Sequence, residues 1–198
     1  VAAQTSKPVV YEELASAADI SAPTAKKWLS ILVSSHIIAL VQPYHNNALK
    51  RAVKMPLIHF LDTGLAAYLL KWGNPEVLER GAMSAAFFES YVFSEIYKSY
   101  LNAGKEPPIF YYRDKDKKEI DLLLYQNGIL SPIEIKKSAS PGKTAIKNFK
   151  VLEPVTKESA FGGLKSLKVE IGTGSVVCMA NDLLPVDEKN WYVPVWLI

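Results

Sequence analysis

Three residues of this 198-residue chain stand at a spacing that suits phosphate chemistry: Asp121, Glu134 and Lys136. Between the first two lies Asn127-Gly128, the preferred dipeptide for a two-residue type I′ hairpin turn, in which both positions need a positive φ. Residues facing each other across such a hairpin have numbers that sum to 255, as Asp121 and Glu134 do. The hairpin predicts their Cβ atoms about 4.5–5.5 Å apart, where like charges repel unless something neutralises them. Period-two alternation predicts Lys136 on the same face as Glu134 and across from Glu119. Two carboxylates suit Mg2+, which keeps several waters and shares its shell with substrate phosphates. A neighbouring lysine can hold the attacking water or offset charge growing on phosphorus. The competing reading is an exposed hairpin face with an incidental acid pair, since Pro132 marks a bulge or edge strand where register slips.

Basic residues cluster in two places. Residues 1–61 hold six Lys/Arg against three acids, whereas residues 62–198 balance at 17 of each, so the net charge of +3 is N-terminal in origin. Residues 136–168 carry eight lysines against Glu153 and Glu158, directly after the carboxylates. A polyanion partner fits both patches, and a merely solvated face is the alternative for each.

The elements that position these groups follow from periodicity. Residues 8–18 predict a short helix, and Ser21 caps a second in which Ala25, Trp28, Leu29, Leu32 and Val33 make one apolar stripe. That spacing turns Thr24, Lys26, Lys27, Ser30 and Ser34 outward. Residues 37–42 and 52–61 predict two strands joined by a turn and a basic loop, giving a winged helix-turn-helix outline. Its second helix would offer Thr24, Lys26, Lys27 and Ser30 to DNA, with Lys50, Arg51 and Lys54 of the wing on phosphate. A winged helix used for protein contacts is the alternative, because no base-reading Arg or Gln stands on that face.

Asp62 caps a helix through Lys71, and Ser84 to Leu101 form a longer one with Phe88, Tyr91, Val92 and Ile96 as the apolar stripe. Residues 109–113, 119–125 and 129–137 predict an antiparallel meander. A helix over residues 144–152 presents Lys143, Lys147 and Lys150 on one face as expected DNA contacts, and strand-like runs close the chain. Gly142-Lys143-Thr144 mimics half of a phosphate-binding loop, but Lys137 occupies the position where its first glycine belongs. His36, His45 and His59 are too scattered for a metal set, and Trp28 and Trp191 are expected in the core.

Composition bounds the rest. With 49% hydrophobic and 22% charged residues the chain has the balance of a globular protein. One cysteine, Cys178, excludes an internal disulfide and favours a reducing compartment. The longest apolar runs fall far short of the roughly 20 residues that span a bilayer, so a cytoplasmic protein without a membrane partner is expected.

Glu89 in a helix, Asp121 on one strand and Glu134-Ile135-Lys136 on the next resemble the core of PD-(D/E)xK nucleases, the restriction-endonuclease-like fold. The stretches FLDTGLAAYLL, AAFFESYVFSEI, IFYYRDKDKKEIDLLL and SPIEIKKS resemble the C-terminal domain of unknown function that follows the ATPase core in a family of bacterial and archaeal AAA+ ATPases. The resemblance runs from about residue 10 to 155 and includes that family's wing and linker, residues 40–65. It implies Glu89, Asp121 and Glu134 as metal ligands or their supports and Lys136 as the catalytic lysine. Ile120 stands where the motif's name has proline. The resemblance also implies an upstream ATPase domain in the same polypeptide, with ATP bound only there, and an opening at Val1 rather than methionine fits a fragment.

The expected architecture is a mixed α/β chain. Residues 1–61 form a winged helix-turn-helix, and residues 62–198 a restriction-endonuclease-like domain that binds DNA and carries a Mg2+-dependent nuclease site. The alternative is a catalytically inactive, nuclease-like module that regulates the ATPase or mediates protein contacts. A homo-oligomer is compatible with either reading.

Overall fold

The computed structural model describes residues 1–44, 55–157 and 169–198. Lys50, Arg51 and Lys54, expected on a wing, lie outside the described residues. The chain is mixed α/β and divides into two units: residues 1–41 with 55–95, and residues 42–54 with 96–198.

In the first unit a short strand β1 (Lys7–Pro8) precedes α1 (Tyr11–Ala17) and α2 (Ala22–Ser34). Ser21 caps α2 as expected, accepting from the Thr24 amide, and the proline of the first turn lacks a donor that would be unpaired there anyway. β2 (Ile38–Pro43) pairs antiparallel with β3 (Leu57–Phe60), which pairs in turn with β1. Asp62 accepts from the Leu65 amide at 2.9 Å and starts α3 (Thr63–Leu69). Asn74 caps a further helix, α4 (Pro75–Arg80).

Leu29, Ile38, Ile58 and Phe60 share one core with Ala66 and Phe87. Packing therefore carries the first unit past the expected boundary at 61/62, into α5 (Ser84–Asn102). The buried side of α5 also differs from the expected stripe. Phe87, Ser90, Val92, Phe93 and Ser94 are buried, while Tyr91 is exposed. Two serines on that side disguise it, and they are affordable because hydrogen bonds satisfy them. Ser90 Oγ lies 2.7 Å from Thr5 Oγ1 and 3.0 Å from His59 Nδ1, and Thr5 Oγ1 accepts from the Phe60 amide. Trp28, expected in the core, is 54% exposed on α2, and Trp191 of the second unit is partly exposed as well.

The second unit is built on a mixed sheet. β4 (Ile109–Arg113), β5 (Glu119–Gln126) and β6 (Ile129–Lys136) form the expected antiparallel meander, and the last two residues of β2 pair parallel with β4. β6 continues into parallel pairing with β7 (Glu170–Ile171) and β8 (Gly174–Cys178). β10 (Asn190–Pro194) runs parallel to β8 and carries β9 (Leu184–Pro185) on its other side. Between β6 and β8 the chain forms a 3-10 helix over Lys143–Leu152, where an α-helix was expected, followed by α6 (Glu153–Lys157). Phe149, Leu152 and Val155 of this crossover pack on Ile120, Leu123 and Leu130, and that core fixes it against the sheet.

Candidate functional site

The hairpin between β5 and β6 sets the site. Asn127 has φ +54° and Gly128 φ +80°, as a type I′ turn requires, and the five pairs from Gln126↔Ile129 to Leu122↔Ile133 keep the predicted register. The ladder ends one pair before Asp121 and Glu134. There Asp121 Oδ2 replaces a backbone acceptor and takes the Ile135 amide at 2.7 Å. On its other edge β6 pairs with β8 from Ile133 onward, with Glu134 opposite Val176 and Lys136 opposite Cys178.

The two carboxylates converge on a cation, and that cation is Lys136. Its ammonium lies 2.6 Å from Glu134 Oε1 and 3.9 Å from Asp121 Oδ2. The closest acid to Lys136 in these contacts is thus Glu134 of its own strand, where the predicted register set Glu119 across from it. Glu119 stands opposite Arg113 on β4, whose Nε is 3.8 Å from its carboxylate. The other Glu134 oxygen, Oε2, is buried without a hydrogen-bond partner. An ionised carboxylate in such a place lacks solvation on one side, so burial raises the Glu134 pKa first, and repulsion from Asp121 adds to it. Burial also raises Asp121, against the pull of Lys136 and the Ile135 amide.

A cleft of about 430 Å³ opens beside this pair, lined by Glu134, Lys136, Ser138, Thr144, Lys147 and Asn148 among others. Asn148 Nδ2 donates to the Glu119 carbonyl at 2.9 Å and ties the cleft's helical wall to the start of β5. Ser138, Thr144 and Asn148 were not among the residues expected at the site. A threefold repeat in residues 143–152 could have pointed to Thr144 beside Lys147 and Lys150; nothing in the sequence marks Ser138 or Asn148.

The other expected residues are placed as follows. Glu89 belongs to the first unit, where its carboxylate accepts from the Ser6 hydroxyl. Among the described residues no cluster of three or more His, Cys, Asp or Glu is arranged to hold a metal ion. Lys26 and Lys27 on α2 are exposed, but the neighbouring hydroxyls turn inward to their own helix: Thr24 Oγ1 lies 2.8 Å from Ser21 Oγ, and Ser30 Oγ donates to the Lys27 carbonyl. Lys143, Lys147 and Lys150 are exposed along the 3-10 helix.

Comparison with known proteins adds identity. Residues 84–198 match a family described as Domain of unknown function (DUF4143), and that span covers the whole meander, the crossover helix and the site. The chain belongs to the DUF4143 family. Residues 1–76, upstream of its DUF4143 domain, match another domain of unknown function, DUF8612. An uncharacterized protein of Mycobacterium bovis and one of Mycobacterium tuberculosis are each 31% identical over 130 residues, covering 65% of this chain and 28% of the relative. The chain thus spans under a third of the length of these curated relatives. No solved structure matches it significantly. Among the described residues no helix is long and apolar enough to cross a membrane.

Proposed function

We propose that the DUF4143 domain is a restriction-endonuclease-like nucleic-acid-binding domain whose Asp121, Glu134 and Lys136 form a Mg2+-dependent phosphodiester hydrolysis site. The carrying observation is the convergence of both carboxylates on the Lys136 ammonium beside an open cleft. The chain order of helix, three antiparallel strands, crossover helix and parallel strand agrees with the core that the nuclease resemblance implies. In the same reading the first unit is a winged helix, and the whole is the C-terminal part of an AAA+ ATPase family protein that binds ATP upstream.

The donor set fits a divalent cation. Asp121 and Glu134 would hold it, with the buried, unpartnered Glu134 Oε2 as an available ligand oxygen and water completing the shell. When bound, the metal supplies Lewis-acid activation of the phosphate and of a water. The chain's own residues do the rest. The Ile135 amide fixes the Asp121 carboxylate, and the Glu134 carboxylate orients the Lys136 ammonium. That ammonium, half exposed toward the cleft, offsets the negative charge that builds on phosphate oxygens as water adds to phosphorus and the P–O bond to the leaving sugar oxygen breaks.

A second reading keeps the fold without the chemistry: Lys136 and a proton shared by the acids offset their charge without a metal, as in a structural ion-pair cluster, and the domain only binds. Incubation with single- and double-stranded DNA and Mg2+ or Mn2+ separates the two. Cleavage that disappears in Asp121→Asn and Lys136→Ala supports hydrolysis. Metal-independent binding with no cleavage favours the second reading, and residual cleavage equal in wild type and variants rejects the first.

A further inference from the structure

The crossover helix has a geometry that the lysine composition alone does not reveal. A 3-10 helix has about 3.0 residues per turn and about 2.0 Å rise per residue, so residues three apart eclipse at roughly 6 Å spacing. Over Lys143–Leu152 this sorts the side chains into rows. Ile146, Phe149 and Leu152 form the row against the core, headed by Lys143. Thr144, Lys147 and Lys150 form an exposed row of their own.

That row borders successive clefts. Thr144 and Lys147 line the cleft shared with Glu134 and Lys136. Thr144, Lys147 and Lys150 also line a neighbouring cleft of about 500 Å³, together with Lys143 from the other row, and its far wall is Val186, Asp187 and Asn190. The Asp187 carboxylate is occupied: it accepts from the Lys189 and Asn190 amides and from Asn190 Nδ2, and Lys143 is close enough to stabilise its charge. Beyond Lys150 a third cleft sets Glu153 and Glu170 against Lys150 and Lys189, so the excess of positive charge ends there.

We propose that Thr144, Lys147 and Lys150 form a phosphate rail that takes successive phosphates of a single nucleic-acid strand and leads it into the cleft lined by Glu134 and Lys136. This rests on the nucleic-acid reading above and specifies its substrate as single-stranded. The roughly 6 Å repeat of the row is comparable to the separation of adjacent phosphates along one extended strand, and the row is straight, whereas a duplex backbone curves away from a short straight element. Lysine contacts to phosphate are electrostatic and release counterions, so they are read in the salt dependence of binding.

The test is binding of a fluorescein-labelled oligothymidylate in EDTA across a salt series, with a duplex of equal length alongside. Lys147→Ala and Lys150→Ala should each weaken strand binding several-fold and lower the slope of log K against log salt by about 0.7, the value for one single-strand phosphate contact. Lys147→Arg should keep the slope. Lys143→Ala, off the row, and Lys189→Ala, beyond it, should change the slope little. Equal losses at Lys143, Lys147, Lys150 and Lys189 would overturn the rail in favour of a diffuse basic surface, and tighter binding of the duplex would overturn the single-strand assignment. Because no divalent metal is present, these outcomes are independent of hydrolysis. Strand binding with the expected slopes but no Mg2+-dependent cleavage leaves the rail standing and rejects only the nuclease.

Discussion

The Lys136 ammonium lies 2.6 Å from Glu134 Oε1, although the two residues are neighbours on one face of the same strand and neither belongs to a turn. Such a pair needs a reason. It is supplied by Asp121, whose carboxylate comes in from the adjacent strand, holds the Ile135 amide between them, and lies 3.9 Å from the same ammonium. Three charges are thus fixed at the point where the β5–β6 ladder ends.

Their burial makes stability depend on pH. Asp121 is raised to about 6 and Glu134 to about 7, above ordinary carboxyl values in the unfolded chain of about 3.9 and 4.3. A raised acid binds its proton more tightly in the folded state, so its favourable contribution is complete below pH 4 and is lost as pH rises through the folded value. Wild type should therefore lose stability between about pH 4 and 7, by on the order of a few kcal/mol for the pair as a whole. In Asp121→Asn and Glu134→Gln the loss should shrink. Urea unfolding across that range measures it, and parallel pH profiles for wild type and both variants would refute the assignment.

Lys136→Ala removes the ammonium and leaves two facing carboxylates. Because the lysine is partly exposed, the cost should be modest, about 1–2 kcal/mol at pH 8, and smaller at pH 5 where the acids take up protons. The same pair of unfolding curves tests it; an equal cost at both pH values would point to lost packing instead.

The hairpin turn controls the register that brings Asp121 to Glu134. Gly128 sits at φ +80°, where a side chain is strained, so Gly128→Ala should destabilise by about 1 kcal/mol or more. An alanine inserted between Asn127 and Gly128 should cost more, because a one-residue slip turns one strand's side chains to the opposite face. Thermal melts compare the two.

In the first unit the two faces of α2 should separate cleanly. Leu29 is buried and Trp28 is not, so Leu29→Ala should cost about 2–5 kcal/mol and Trp28→Ala within about 0.5 kcal/mol. Chemical denaturation of both variants checks this, and a large loss at Trp28 would contradict the burial described.

Features fixed by local chemistry were legible in the chain: the Ser21 and Asp62 caps, the Asn127-Gly128 turn and the three-stranded meander each follow from residues within one turn or hairpin of each other. The short contact of Lys136 with Glu134 was not, because strand register sets which residues share a face but not which of the neighbouring acids a flexible lysine side chain reaches. The buried side of α5 was hidden because Ser90 and Ser94 lie on it, satisfied by Thr5, His59 and the Tyr91 carbonyl, none of which hydropathy reveals. The row of Thr144, Lys147 and Lys150 escaped because a period near 3.6 places Lys143 among them, while the segment winds at about 3.0.

The central claim is that Asp121 and Glu134 are cation ligands and not merely partners of Lys136. Titration of Mn2+ followed by electron paramagnetic resonance tests it most directly. Wild type should bind the ion, Glu134→Gln and Asp121→Asn should lose it, and Lys136→Ala, freed of the competing ammonium, should bind it at least as tightly. Mn2+ binding that is unchanged in both carboxamide variants, or absent in wild type and Lys136→Ala alike, would contradict it.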